Sequence, residues 1–292
     1  MINKLQLAST SVLTLIFVAG CAQQQSNQTT SNGIGSQVPS ILTSTTSLVP
    51  PAHWSYEGDT GPEHWGELEA DYLACGNGTQ QSPIDIKHAH LTTSEILKPI
   101  DIHYGNAKAS IQNNGYTIQV SLKDNSNYIV LDGTKFTLTQ FHFHHPSEHQ
   151  INGQNADMEL HFVHKSENNR TAVLGILIEN GSEHMAFESF WDNLPTDETK
   201  KTVELESAID LTSLLPANLQ SIHYSGSLTT PPCTENVSWT VLEHPIEMSQ
   251  EQIAKFAAIF PDNHRPVQPL GDREIDSVLL KLHTFLSRQK TE

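Results

Sequence analysis

The chain is short of positive charge. Its 292 residues carry 16 Lys and Arg against 33 Asp and Glu, a formal net charge of −17. Phosphate binding needs clustered cations, so the balance argues against a nucleic-acid partner. The acidity serves solubility. Cysteine is scarce too, with only Cys21, Cys75 and Cys233. No internal repeat is visible. No apolar run is long enough to read as a membrane span; Val12–Ala19 is far short of the ~20 residues needed.

That short run has another use. With Lys4 before it, it fits the apolar region of a signal peptide over residues 1–20. It closes in Val18-Ala19-Gly20-Cys21, which resembles a bacterial lipobox, where the Cys becomes the lipidated first residue of the mature chain. A small-residue cleavage site beside a chance Cys is the plainer alternative. Ala22, rather than Asp, points to a periplasm-facing anchor on the outer membrane of a Gram-negative cell. Residues 21–50 hold no charge and little apolar surface, so they read as a flexible linker. One domain remains, over 51–272. If Cys21 is lipidated, Cys75 and Cys233 are left as a disulfide pair or as two buried thiols.

Within the domain the strand pattern dominates. Runs such as Tyr116–Leu122, Tyr128–Leu131, Phe136–His144, Met158–His164, Ala172–Glu179 and Val237–Leu242 are rich in β-branched and aromatic residues. Many are bounded by turns such as Asn113-Asn114-Gly115 and Asp132-Gly133. Ser249 and Gln252 form a capping box before a helix, and Glu198–Ile209 is a weaker helical candidate. Beyond Asp272, residues Ile275, Val278, Leu279, Leu282 and Phe285 fall at helical spacing. A C-terminal helical tail over 273–292 is therefore expected, either docked on the domain or forming a homodimer contact. The fold class is mainly β: one domain around a large central sheet with short peripheral helices.

One segment, Gln140 to His149, reads QFHFHHPSEH. Residues two apart on a strand share a face. Gln140, His142 and His144 therefore point one way, and Phe141 and Phe143 the other. The next strand offers Glu159, His161 and Val163 on one face. Antiparallel pairing would gather His142, His144 and His161 on one side of the sheet, a three-histidine site suited to Zn²⁺ with an open position. Gln140 and Glu159 lie two residues from a ligand each, placed to accept the ring N–H that the metal leaves free. Histidines serving only as satisfied core residues are the plainer alternative. A closed structural zinc would want a fourth ligand, usually Cys, and both domain cysteines have a better use. His145, His149 and His164 fall outside the pattern and read as structural.

Further motifs follow in order: Gln80-Gln81-Ser82-Pro83-Ile84-Asp85, Asn113-Asn114-Gly115, Pro146-Ser147-Glu148-His149, Val173-Leu174-Gly175 and Leu228-Thr229-Thr230-Pro231-Pro232-Cys233-Thr234-Glu235. With the histidine segments, from His53 to Leu270, the chain closely resembles the α-class carbonic anhydrases of the exported bacterial type. The resemblance implies a mostly antiparallel ten-stranded sheet and hydration of CO₂ to bicarbonate by zinc-bound hydroxide. His142, His144 and His161 match the ligands. Thr229 matches the threonine that accepts from the hydroxide and donates to a buried glutamate, Glu148. Gln140, Glu159 and Asn263 support the ligands. Val163, Val173, Leu228, Trp239 and Thr230 match the substrate pocket, and Cys75–Cys233 the bacterial disulfide. The proton path is expected along Tyr116, Tyr56, Asn114 and Gln119. Here the chain departs from the family: Tyr116 stands where its members often carry a proton-shuttling His, so proton export is expected to limit turnover in weak buffer. Two rivals stand beside this reading, a catalytically silent binding domain on the same fold and a zinc hydrolase of activated esters.

Overall fold

The structure, a computed structural model, describes residues 53–92, 99–199 and 201–283. The expected signal peptide, linker and Cys21 lie outside the described residues, as does Phe285. The main sheet opens with β1 (Leu91–Thr92), β2 (Ile100–His103), β3 (Ala109–Asn113), β4 (Ile118–Leu122) and β5 (Tyr128–Leu131). The long strands β6 (Thr134–His144), β7 (Met158–Ser166) and β8 (Thr171–Asn180) follow. A short β9 (Val203–Glu204) precedes β10 (Gln220–Ser227), β11 (Glu235–Met248) and β12 (Ile275–Leu282).

The strands run β7-β8-β11-β10-β12-β2-β5-β6-β4-β3-β9 across the sheet, with β1 beside β12. Because β6 also pairs with β7, the order from β6 through β7, β8, β11, β10, β12, β2 and β5 returns to β6. The mainly β architecture is as expected. The pairing is mostly antiparallel, also as expected; among the described residues the sheet has twelve strands where ten were expected, and β12 runs parallel to β1 and β2 as β8 does to β11.

Alternation along β6 divides two environments. Phe141 and Phe143 are fully buried and pack with Phe162, Phe190 and Trp191 in the main core. Gln140, His142 and His144 take the opposite face. Burying one such phenylalanine is worth about 2–3 kcal/mol, so the core side fixes which face the histidines present. The Ser249–Gln252 capping box forms as expected and opens the helix Gln250–Ala257.

Two helical expectations are overturned. Among the described residues of Glu198–Ile209 there is no helix; Val203–Glu204 pairs with β3 there and Ile209 pairs with Ala107. Within the expected tail helix, Ile275–Leu282 is β12, an internal strand between β10 and β2, and residues 284–292 lie outside the described residues. Ile275, Val278 and Leu280 are buried, whereas Leu279 is 55% exposed. A short apolar run does not by itself distinguish helix from strand, and pairing on both edges decided this one.

Cys75 and Cys233 form a disulfide across 158 residues, beside the buried Trp65. Loop-closure entropy gives it about 5 kcal/mol at most. The domain boundary drawn at Asp272 would delete β12. A chain ending at Asp272 should lose its cooperative thermal transition, while one ending at His283 keeps it. Circular dichroism melts of both would check this, and equal transitions would contradict the internal placement of β12.

Candidate metal centre

The pairing of β6 with β7 sets His161 opposite His142 and Glu159 opposite His144. The three rings converge, with centroids 5.0, 5.2 and 4.6 Å apart for the pairs 142–144, 142–161 and 144–161. One ligand atom from each lies within 4.8 Å of the others.

Each ring has one nitrogen engaged by an acceptor. His142 Nδ1–H donates to Gln140 Oε1 at 2.9 Å, and His144 Nδ1–H to the Asn263 carbonyl at 2.7 Å. His161 Nε2–H donates to Glu159 Oε1 at 2.9 Å. These tautomers follow from the acceptors, which have no hydrogen to give. The remaining atoms, Nε2 of His142, Nε2 of His144 and Nδ1 of His161, turn toward one another. His144 Nε2 is buried and without a hydrogen-bond partner, an expensive arrangement unless something binds it. Burial lowers the pKa of all three imidazoles, that of His144 to about 4, so they are neutral and their free lone pairs can bind a cation. The donor set fits a metal ion.

Glu159 anchors this arrangement. Its Oε2 accepts from the backbone N–H groups of Glu148 and His149 at 2.9 and 2.8 Å. Its Oε1 accepts from His149 Nδ1 at 2.7 Å and from His161. Burial alone would raise its pKa, but His149 and His161 hold the carboxyl well below its ordinary value. Since the His161 ring is neutral, its hydrogen bond, not an ionic attraction, is what counts there. Beyond it, Tyr224 Oη donates to His149 Nε2 at 2.7 Å, and Ser82 Oγ, 2.8 Å away, supplies the hydrogen that the Tyr224 oxygen accepts. Gly175, opposite His161, leaves the room: a Cβ there would sit 2.9 Å from Glu159 Oε1.

Glu148 is fully buried, with Oε2 3.6 Å from His144 Nε2 and 3.8 Å from His161 Nδ1. Its Oε1 accepts from the Arg265 backbone N–H at 2.9 Å. Burial raises the Glu148 pKa, against opposing pulls from His161, the Thr229 hydroxyl and that N–H. Thr229 thus lies beside the carboxylate, although no well-formed hydrogen bond reaches Oε2. The Arg265 guanidinium, also buried, donates to Gln81 Oε1 and to the carbonyls of Ser82 and Cys75. It ties the disulfide segment to the strap that holds Glu148.

A cavity of about 170 Å³ opens beside His142 and His144, lined also by Gln140, Tyr56, Asn114, Tyr116, Gln119 and Thr230. Val163, Val173, Leu228 and Trp239 are brought together in a second apolar cluster, with the ring centroids of Trp239 and His161 4.9 Å apart, and Thr230 lines the cavity. Asn114 is less free than a proton-path residue should be, because its Oδ1 caps the turn by accepting from Tyr116 N and Thr117 N. Gln119 donates to Ser121. Tyr56 is partly buried and its pKa is raised, first by loss of solvent and then by Glu148. His145 and His164 are structural as expected: His145 bonds the Pro261 carbonyl, and His164 bonds Tyr104 in the core. His149 is no ligand of the triad, but it does more than fill space, since it orients Glu159. Its place in Pro146-Ser147-Glu148-His149, next to Glu148, was the available signal. Nothing local in the sequence marks Tyr224 or Arg265.

Three convergent histidines with their outer nitrogens pinned, beside a buried Thr–Glu pair, form a site that could hold a metal ion on a β-sheet scaffold. The model of the family described as eukaryotic-type carbonic anhydrase matches residues 60–278, and the chain belongs to that family. A carbonic anhydrase of Klebsiella pneumoniae is 44% identical over 226 residues, covering 77% of this chain and 90% of that one. The α-carbonic anhydrase of Thermovibrio ammonificans, solved with the inhibitor sulfanilamide, is 45% identical with a TM-score of 0.74, covering 77% of this chain and 99% of the other. Dioscorin, solved with ascorbate, is 28% identical with a TM-score of 0.73, covering 79% and 99%.

Replacing Glu159 by Gln would set an NH₂ against backbone N–H donors in a buried site. We expect Glu159→Gln to weaken metal binding about 10–100-fold and to destabilise the fold by about 3 kcal/mol. Metal titration and denaturant unfolding check the two effects separately; unchanged metal affinity would remove Glu159 from the support of His161.

Proposed function

We propose that the chain catalyses the reversible hydration of CO₂ to bicarbonate and a proton, with Zn²⁺ held by His142, His144 and His161. The observation that carries this reading is the triad itself: each ring spends one nitrogen on a protein acceptor and directs the other inward. Three neutral imidazoles suit zinc. Zinc in such a site supplies Lewis-acid chemistry that makes hydroxide available near neutral pH.

The chain's own groups aim the nucleophile. An ionised Glu148 can only accept, so the Thr229 hydroxyl must donate to it. The Thr229 oxygen then has only lone pairs to offer the cavity. It accepts from an attacking O–H and leaves that oxygen's free lone pair for carbon. A cation among the rings favours the ionised form of Glu148, against the effect of its burial. Val163, Val173, Leu228 and Trp239 give the His161 side an apolar surface, suited to a substrate with no hydrogen to donate. In the reaction one C–O bond forms, a C=O π pair moves to oxygen, and one proton is left to dispose of.

The binding reading draws on the likeness to dioscorin, which was solved in complex with ascorbate. Against it stand the three ligands and the Thr229–Glu148 pair, all present and brought together. Stopped-flow CO₂ hydration on protein of measured zinc content decides between them. Wild type should hydrate CO₂, and His161→Ala should lose both zinc and activity. Wild type that holds zinc without hydrating CO₂ would favour the binding role, and unchanged zinc content in His161→Ala would overturn the ligand assignment.

We also propose that the chain is exported and anchored in the outer membrane through a lipid on Cys21. The support is the Val18-Ala19-Gly20-Cys21 motif closing a short apolar run. No helix among the described residues is long and apolar enough to cross a membrane. Cys21→Ser should abolish lipid labelling and shift the protein from the membrane to the soluble fraction; retention of both properties would defeat the anchor.

A further inference from the structure

We propose that His53 is the group that passes protons between the cavity and bulk solvent, with Tyr116 as the link; the proposal rests on the CO₂-hydration reading above. Each hydration leaves one proton inside. A group of pKa near 7 gives a proton to water at only about 10³ per second when return is limited by diffusion at about 10¹⁰ M⁻¹s⁻¹. A faster enzyme needs a base at the cavity mouth.

Tyr116 lines the cavity. Its hydroxyl lies 3.1 Å from both Nδ1 and Nε2 of His53, an exposed residue whose ring lies nearly parallel to the tyrosine at 17°. The equal distances place the hydroxyl over the edge of the imidazole between its nitrogens. Because the imidazole N–H and lone pair lie in the ring plane, transfer requires that exposed ring to turn until one nitrogen points at the hydroxyl. On its other contact Tyr116 stacks on Trp54, with centroids 3.8 Å apart and planes at 9°. Trp54 in turn meets the fully buried Trp65 edge-on. Asn263 donates to the Tyr116 carbonyl while its own carbonyl takes the His144 N–H. The tyrosine is thereby fixed relative to the ligands, and His53 relative to the tyrosine.

The transfer balances without forming tyrosinate. A protonated cavity water gives H⁺ to the Tyr116 oxygen as the phenolic hydrogen passes to a His53 nitrogen. The phenol ends neutral with a new O–H bond, and the imidazole becomes imidazolium. Its proton then goes to a buffer base in solvent. Burial, with Tyr72 and Glu198, raises the Tyr116 pKa, which suits a hydroxyl that relays and does not ionise. Histidine is the side-chain type that exchanges protons most readily near neutrality. The imidazole that the family often carries at position 116 is here supplied one ring further out.

The test uses the full chain loaded with zinc. His53→Gln should lower kcat about tenfold in dilute buffer, less than the 10²–10⁴ of direct acid–base catalysis because solvent buffer still serves. kcat/KM should stay unchanged, and added imidazole should restore kcat. Independently of activity, the ¹⁵N signals of the His53 ring at fixed pH should move in Tyr116→Phe. An unchanged kcat for His53→Gln in dilute buffer overturns the proposal. So does a joint fall of kcat and kcat/KM without imidazole rescue, which marks a structural role, or superimposable ring signals in Tyr116→Phe. Wild type inactive toward CO₂ defeats the hydration reading and this proposal with it, whereas an active wild type indifferent to His53→Gln defeats the proposal alone.

Discussion

The register between β6 and β7 is the constraint on which the rest depends. With His161 opposite His142 and Glu159 opposite His144, three histidines and a buried acid meet on one face. A slip of one residue would turn the histidines of one strand into the phenylalanine core and its aromatics into the cavity. That alternative is closed by Phe141, Phe143, Leu160 and Phe162, all fully buried. The apolar half of each strand thus determines where the polar half points. The site inherits its precision from packing that has no part in its chemistry.

Glu159 shows what that packing must then accommodate. An ionised carboxylate with no exposure is costly, and breaking such a buried network costs about 3–5 kcal/mol. Four N–H groups offset the burial, two from backbone and two from imidazoles. The chain of donors behind His149 continues through Tyr224 to Ser82 and leaves the His149 ring no alternative tautomer. Stability and tautomer choice are therefore one property here. The hydrogen bonds that allow the carboxylate to be buried also free His161 Nδ1 for a ligand role.

Much of this was legible in the sequence, for a physical reason. Strand periodicity of two is local, so His142, His144, Gln140, His161 and Glu159 could be assigned to faces from the sequence alone. The capping box at Ser249 and Gln252 is local as well. What escaped was set by distant partners. β12 looks helical because its apolar spacing satisfies a helix, and only its neighbours β10 and β2 make it a strand. Asn263 was named beside the histidines by resemblance, but that it acts on His144 through its backbone carbonyl, as Arg265 acts on Glu148 through its backbone N–H, leaves no signature in residue type. Glu148 and the apolar pocket residues were assigned by resemblance, not by pattern.

The fold alone would not have separated an enzyme from a binding domain. The chain matches dioscorin almost as well in backbone as it matches a carbonic anhydrase, so the shape of the sheet is common ground between them. The discrimination rests on buried atoms that make sense only as a set. An unpartnered imidazole nitrogen on His144 costs stability unless an ion takes it. A buried glutamate 3.6 Å from that nitrogen, with a threonine hydroxyl beside it, is a poor choice for a packed interior. Each feature is a local defect when taken singly. A cation among the rings would relieve both, giving the lone pair a partner and the carboxylate an opposing charge, and Thr229 would then hold its hydrogen toward Glu148 and its lone pairs toward the cavity.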